Sequence, residues 1–385
     1  MIKALEIVFW FLVGTVFYTY AGYPLILFLV SSFSRKPVVK EKYEPTVSIV
    51  VSVYNEEKTI EQKLQNLLEL DYPEEKLEIL VGSDGASDKT DQIISKFHSS
   101  RIRFYRFVAN FGKPLVLNEL VKEAHGSVIV FTDARQSLDR QAVKTLVKNF
   151  SDPRIGCVSG ELYFRSETSG SVEEGMDVYW RYEKFLRKHE SRIGSMLGAT
   201  GALYAVLRNL IPVLPAKILV DDMYIPLAVV KKGYRAIFEN EAYVYDRPST
   251  RPAEEFKRKV RTLAGNYQIF SHFARLLIPF LSPVGWQLFS HKFLRLMIPF
   301  CLIGIFFTNI FLLQVPFYKI LFGLQIFFYI LAIVEQIAIT SGRTKKGAGY
   351  LPYMFCLLNY CAFAGFVHFM SRKQAQNAAW TRAYA

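Results

Sequence analysis

Two adjacent aspartates, Asp221 and Asp222, interrupt the apolar run Ile218-Leu219-Val220 and Met223-Tyr224-Ile225. Desolvating a carboxylate is costly, so a pair in such surroundings needs partners or a task. One of them can cap a helix that starts near Met223, but capping needs only one carboxylate. A carboxylate in a partly apolar cleft, with a second alongside, has a raised pKa and more strength as a base. Three further acids, Glu56, Asp84 and Asp133, each stand at the end of a strand-like run. Acidic clefts of this kind can hold metal–phosphate ligands.

The surroundings of these acids sharpen the expectation. Val53-Tyr54-Asn55-Glu56-Glu57 is a polar turn that can cup a base and ribose, or a helix cap formed by Asn55. In Gly82-Ser83-Asp84-Gly85-Ala86-Ser87-Asp88, Asp84 can accept hydrogen bonds from a uracil-like edge or ribose. Gly85 allows close backbone approach, and Ser87 or Asp88 is expected to cap the next helix. Asn110-Phe111-Gly112-Lys113-Pro114 puts Lys113 near a helix N-terminus, a natural diphosphate site. Asp133, in Thr132-Asp133-Ala134-Arg135-Gln136, can hold a divalent cation through hard oxygen ligands. Arg135 stands where a second carboxylate would make a fuller metal site; it contacts phosphate directly or pairs with Asp133.

The elements around these turns alternate. Strands are expected at 47–53, 77–81, 103–107 and 127–131, and helices at 57–70, 88–97 and 113–124. This predicts an α/β domain with a mostly parallel sheet covered on both faces. Ligands of such sheets bind beyond the carboxyl ends of the strands, where Glu56, Asp84 and Asp133 fall.

The chain is 51% hydrophobic and 15% aromatic, high for a soluble protein. Residues 1–32 read as a transmembrane helix, with an apolar stretch too long for a signal peptide. Residues 254–292 mix basic and aromatic groups as interfacial helices do, and 172–193 reads as an amphipathic helix. Three more apolar spans follow near 293–314, 317–340 and 350–370, then a tail over 371–385. Arg35, Lys36 and Lys40 after the first span place the central domain, 46–253, in the cytoplasm. Four crossings then leave the C-terminus outside, against the preference of Arg372, Lys373 and Arg382 for the inside. A re-entrant or interfacial C-terminal span is the alternative. The net charge of +13 lies beside apolar spans, which favours a membrane surface over nucleic acid. The four cysteines lack metal spacing and read as small hydrophobes.

The ordered set Val50 to Glu57, Ser83 to Thr90, Gly112-Lys113 and Asp133 resembles the membrane-embedded family 2 glycosyltransferases, which include cellulose, hyaluronan and poly-N-acetylglucosamine synthases. The resemblance runs from about Thr46 through Gln268. It implies a GT-A (Rossmann-like) cytoplasmic domain between transmembrane helices, and inverting transfer from a nucleotide-diphosphate sugar, first of all a UDP-sugar, to a saccharide acceptor at the membrane. By the resemblance Tyr54, Glu56 and Asp84 bind the nucleoside and Lys113 the diphosphate. Asp133 is the first aspartate of the family's Asp-X-Asp motif and holds Mg or Mn, with Arg135 in the third position. Asp221-Asp222 matches the acidic pair whose second member is the base. Arg258 and Arg261 fall where processive synthases carry Gln-X-X-Arg-Trp, with only the arginine kept at Arg261. Gly198, Thr200 and Gly201 line the acceptor site or form a small-residue packing turn. Two alternatives remain: a single transfer to a lipid or polyprenyl-phosphate acceptor, and an inactive nucleotide-sensing regulator of polysaccharide export.

Overall fold

The computed structural model describes residues 2–164, 178–247, 252–279, 282–341 and 347–371. The expected helix start over 172–177, the cationic run 343–346 and the tail from Arg372 lie outside the described residues. The N-terminal helix α1 (Ile2–Phe17) passes through a π turn (Tyr18–Gly22) into α2 (Tyr23–Phe33), a continuous and mostly apolar helical stretch of 32 residues. Pro24, early in α2, has no N–H to offer the preceding turn, and the widened turn accommodates that gap.

Strands β1 (Val47–Val53), β2 (Leu77–Asp84), β3 (Ile102–Phe107), β4 (Val128–Phe131), β5 (Ser137–Leu138), β6 (Ile155–Phe164), β7 (Tyr204–Leu207) and β8 (Arg235–Asp246) form one sheet in the order β3-β2-β1-β4-β7-β6-β8-β5. The first four are parallel, as the alternating pattern predicts. The remainder is mixed: β7 runs antiparallel to both β4 and β6, and β5 antiparallel to β8. The helices of this domain are α3 (Ile60–Leu68), α4 (Thr90–Ile94), α5 (Lys113–Glu123), α6 (Ala142–Val147), α7 (Val178–Ile193) and α8 (Asp221–Lys231).

All seven residues of β1 are buried because helices cover both faces. Ile49 and Val51 face Ile60, Leu64 and Leu67 of α3, in one core. Val50 belongs to the other core, with Val116, Leu117 and Leu120 of α5. This second core also holds Val220, Met223, Tyr267, Leu288, Leu296 and Ala362, so it runs on into the C-terminal helices.

Those helices are α9 (Pro252–His272), α10 (Pro283–Gln287), α11 (Leu294–Phe311), α12 (Pro316–Thr340) and α13 (Tyr350–Met370). A π turn, Leu288–Phe293, fuses α10 to α11, so the apolar span begins at Pro283 and not near 293. The polar side chains Ser290, His291, Lys292 and Arg295 mask this start in the sequence. Their partners explain their place. Glu190 of α7 accepts from Tyr23 (2.7 Å) and lies 2.6 Å from His291, and Glu183 is paired with Lys292 and Arg295. Burial alone would raise the Glu183 pKa, but these cations outweigh it and hold the carboxyl well below its usual range.

Candidate active site

Strand register sets the site. Val53 pairs with Ser83, and Val50 with Phe131, so the polar turns after β1, β2 and β4 leave the sheet on one rim. Phe131 pairs with Tyr204 of the antiparallel β7, so residues 198–203 enter the sheet at that rim too. Glu56, Asp84, Asp133 and the Gly198–Gly201 loop are thereby brought together.

The first two turns are tied to each other. Asn55 adopts a left-handed φ of 53° and its Oδ1 accepts from Ser87 N (2.7 Å) and Asp88 N (3.3 Å). It is therefore a bridge between turns, and does not cap α3 as the sequence allows. Asp88 takes the expected helix-start role, accepting from Thr90 N (3.0 Å) and Glu57 N (3.2 Å). Tyr54 and Glu56 are half-buried on this turn, with Glu56 accepting from Thr59 Oγ1 (2.8 Å).

Asp84 is buried, and its two oxygens accept from Phe111 N (2.7 Å) and Gly112 N (2.9 Å). Burial raises its pKa, and these amides offset only part of that. Gly85 is obligatory: its φ is 69°, and a Cβ there would stand 2.6 Å from the Ala109 carbonyl carbon. Asp84 thus fixes the loop that launches α5, and with it Lys113.

Lys113 stands between two acids. Its Nζ lies 2.8 Å from Asp133 Oδ1 and 3.5 Å from Asp221 Oδ1. Burial would lower its pKa, but the carboxylates of Asp133 and Asp221 overcome that and raise it. Asp133 shifts the opposite way: burial raises it, but Lys113, Lys63 and Arg135 leave it lowered. Its side chain stays 40% exposed, which leaves it open to a ligand from the rim.

Asp221 and Asp222 begin α8 and have different surroundings. Asp221 is buried, and its Oδ2 accepts from Tyr204 OH (3.1 Å). Asp222 is half-buried, and its pKa is raised to about 6, first by burial, then by the charge of Asp221. Its carbonyl accepts from Ala199 N (2.7 Å). A Cβ on Gly201 would stand 3.0 Å from Asp222 Oδ2, and one on Gly198 3.7 Å from its carbonyl oxygen. Thr200 is buried, donating its N–H to Ser159 Oγ (2.8 Å) and accepting at Oγ1 from Arg187 (2.5 Å).

Arg135 also has a partner that the sequence does not announce. Its guanidinium forks onto Asp246 at the end of β8 (Nε to Oδ1 2.9 Å, Nη2 to Oδ2 2.5 Å), and Gln136 donates to the same carboxylate (3.0 Å). β5, right after the Asp133 turn, pairs with β8 and delivers Asp246 to this position. Arg258 is half-buried and Arg261 exposed on α9. That helix is clamped against the segment before Asp221: Gln268 accepts from Leu219 N (3.1 Å), and a Cβ on Gly265 would meet Val220 at 2.8 Å.

Sequence reasoning missed Asp246, Lys63, Tyr204 and Arg187. Lys63 shares the buried face of α3 with Ile60, Leu64 and Leu67, and a lysine on an apolar helical face was a readable signal. Its Nζ donates to Thr132 Oγ1 (2.8 Å) and Gln136 O (2.8 Å), bracing the Asp133 turn from below. Burial lowers its pKa to about 7. Asp246 ends a strand as the other rim acids do. Tyr204 and Arg187 carried no signal.

A cavity of about 240 Å³ lies elsewhere, among α1, α11, α12 and α13, remote from these carboxylates. No group of three His, Cys, Asp or Glu with metal-ligand geometry occurs among the described residues. A cation here would therefore rest on few protein oxygens and complete its shell from the ligand's phosphates, as Mg²⁺ commonly does. The exposed Asp133 carboxylate fits that arrangement.

Residues 48–210 match the family described as Glycosyl transferase family 2. The chain is 24% identical over 243 residues to a poly-beta-1,6-N-acetyl-D-glucosamine synthase of Staphylococcus aureus (strain COL), covering 62% of this chain and 58% of that protein. It is 32% identical over 141 residues to the protein of that name from Staphylococcus epidermidis, covering 36% of this chain and 34% of that one. The chain thus spans less than two thirds of the length of these relatives. Among solved structures it resembles the mannosyltransferase PcManGT from Pyrobaculum calidifontis, in complex with GDP-Man and Mn2+, with a TM-score of 0.74 at 21% identity over 97% of this chain and all of that one. The chain thus carries, over residues 48–210, a stretch that matches glycosyl transferase family 2, in a fold similar to that of GT-A glycosyltransferases and flanked by long apolar helices.

Proposed function

We propose that this chain transfers a sugar, with inversion, from a nucleoside-diphosphate donor to a saccharide acceptor at the membrane, in cell-envelope or extracellular polysaccharide synthesis. The observation that carries this reading is Lys113 seated between Asp133 and Asp221, with Asp222 beside them facing Gly201. One cation among three acids suits a diphosphate flanked by a base. The family match and the name of the staphylococcal relatives agree with it.

In this reading Tyr54, Glu56 and Asp84 receive the nucleoside, and Lys113 the diphosphate. Asp133 holds a divalent cation, Mg or Mn, which when bound neutralises charge on the phosphates. Arg258 and Arg261 add positive charge from α9. Arg135 serves the donor site indirectly, by fixing the Asp133 turn to Asp246. Gly198, Thr200 and Gly201 border the acceptor. Asp222 takes the proton from the acceptor hydroxyl as that oxygen attacks the anomeric carbon, and the bond to the diphosphate breaks on the opposite face. Lys113 stabilises the leaving diphosphate. Asp221, held by Tyr204 and Lys113, orients and tunes Asp222. The basic residues after α2 favour a cytoplasmic position for the domain.

A second reading is a single transfer to a lipid-linked acceptor. It is favoured by the core under Asp222, which continues into Leu288, Leu296 and Ala362 of the apolar helices. Purified protein incubated with a panel of nucleotide sugars tests both. Release of nucleoside diphosphate, abolished by excess chelator, supports transfer, and product length separates a polymer from one addition. No release from any donor overturns the proposal.

A further inference from the structure

The helix α13 is long and apolar enough to cross a membrane, at 21 residues, or about 31 Å. Its contacts place it otherwise. The sheet domain marks one side of the membrane. The α10–α11 segment leaves from that side: Val284, Leu288 and Leu296 belong to the core of the sheet domain, and His291 and Lys292 pair with acids of α7. By Phe311 it has run about 22 Å further from Leu296. There Leu312 packs with Phe9, near the chain's N-terminus, and with Tyr318 of α12. α12 starts at that level, with Tyr318 on Phe9, and leads back, so that Phe328 meets Phe355, which packs in turn on Tyr20, eleven residues along α1–α2 from Phe9.

α13 starts where α12 has come most of the way back. Gly347 N donates to Glu335 Oε1 (2.7 Å), and a Cβ on Gly349 would stand 2.4 Å from the Leu331 carbonyl. A crossing helix would carry its other end away to the level of Phe311. Instead Phe366 and Phe369 pack on Tyr267, and Tyr267 OH donates to Leu296 O (3.0 Å) and lies 3.5 Å from Ala362 O. Tyr267, Leu296 and Ala362 share one core with Val220 and Met223, which flank the aspartate pair. Along its second half α13 runs beside α9 in the same direction, with Tyr360 against Phe256, Gly365 against Ala264 and Phe369 against Tyr267.

We propose that α13 does not cross the membrane: both its ends lie on the side of the sheet domain, and the chain crosses three times, through α1–α2, α10–α11 and α12. Its outward side chains, Leu351, Tyr360, Phe363, Val367 and Met370, are apolar and exposed in the isolated chain, so the helix is embedded among lipid chains of the leaflet nearest the sheet domain. This removes the charge conflict of a four-crossing topology, because Arg372, Lys373 and Arg382 then follow on the same side as Arg35, Lys36 and Lys40.

The test uses the full chain in cells. Single cysteines replace three exposed residues, Lys96 in the sheet domain, Gln314 between α11 and α12, and Ser371 after α13. The native thiols are buried or half-buried, and the parent chain sets the background. A membrane-impermeant maleimide is applied before and after permeabilisation. Gln314→Cys is expected to label at once, and Lys96→Cys and Ser371→Cys only after permeabilisation. Labelling of Ser371→Cys together with Gln314→Cys overturns the proposal. Should the Ser371→Cys thiol stay unreactive, a fluorescent protein that matures only in the cytoplasm, fused after Ala385, decides. Fluorescence supports the proposal, and a dark, full-length fusion overturns it.

Discussion

Gly201 leaves the carboxylate of Asp222 room that no other residue would: a methyl group at position 201 would stand 3.0 Å from Asp222 Oδ2. The loop before β7 and the start of α8 are thus fitted to each other at the acid proposed as base. Gly201→Ala should displace that carboxylate by a few tenths of an ångström and cut transfer about 10-fold, given that misplacements near 1 Å can cost about 10². Donor affinity should hold, because Asp84 and Lys113 lie on other loops. Equal losses in donor affinity and turnover would show instead that the whole rim had shifted.

The Arg135–Asp246 pair makes a counterintuitive prediction. Arg135→Asp would write a second acid two positions after Asp133, yet the new carboxylate would face Asp246, not a cation. It should lower thermal stability and leave the metal concentration needed for activity no better. Asp246→Ala should cost roughly 3 kcal/mol, toward the lower end for breaking a buried pair, since Arg135 keeps some contact with water. Thermal unfolding in detergent and a Mn²⁺ titration of activity check both.

Lys63→Met removes the two hydrogen bonds that brace the Asp133 turn while keeping most of the side chain's bulk. Each bond is worth about 0.5–1.5 kcal/mol, and more while the amine is protonated. Donor KM should rise about 10-fold or more through the loosened turn, on the same scale. Lys63→Arg, with a longer head in a closed site, should not rescue it. A fall in kcat with KM unchanged would contradict a bracing role.

The pH dependence follows from Asp222, whose pKa is raised to about 6. A base must be ionised, so transfer should fall as pH drops through about 6 and level off above it. Stability runs the other way. Below the unfolded value of about 4 both states hold the proton and no penalty exists. As pH rises toward 6 the unfolded chain releases the proton first, so the folded state loses stability, and the full cost is present above 6. Asp222→Asn should therefore raise the melting temperature at pH 7.5 and leave it nearly unchanged at pH 4. A pH-independent difference would point to packing rather than charge.

Much of the first half of the sheet and its rim is legible because its signals are local. Val47–Val53 is a run of β-branched and small residues that only a doubly covered strand explains, and the turn after it carries Glu56. Lys113 and Asp133 follow by the same logic. The second half was less legible. β7 joins the sheet antiparallel to β4 and β6, from far along the chain, and no local pattern announces that pairing. This is why the Asp246 partner of Arg135, more than a hundred residues away, is not legible from the sequence around Asp133. The start of the α10–α11 span was hidden for a related reason. His291, Lys292 and Arg295 look like an interface until the acids of α7 are found beside them.

The most direct test of the account is Asp222→Asn in the purified protein, with donor binding and transfer measured separately. Asn keeps the shape of the side chain and its contact with Gly201, but cannot take a proton. The account predicts turnover lower by about 10² or more, the scale of a general base, with nucleotide affinity near that of the parent. Transfer at close to the parental rate would contradict it and remove Asp222 from the reaction.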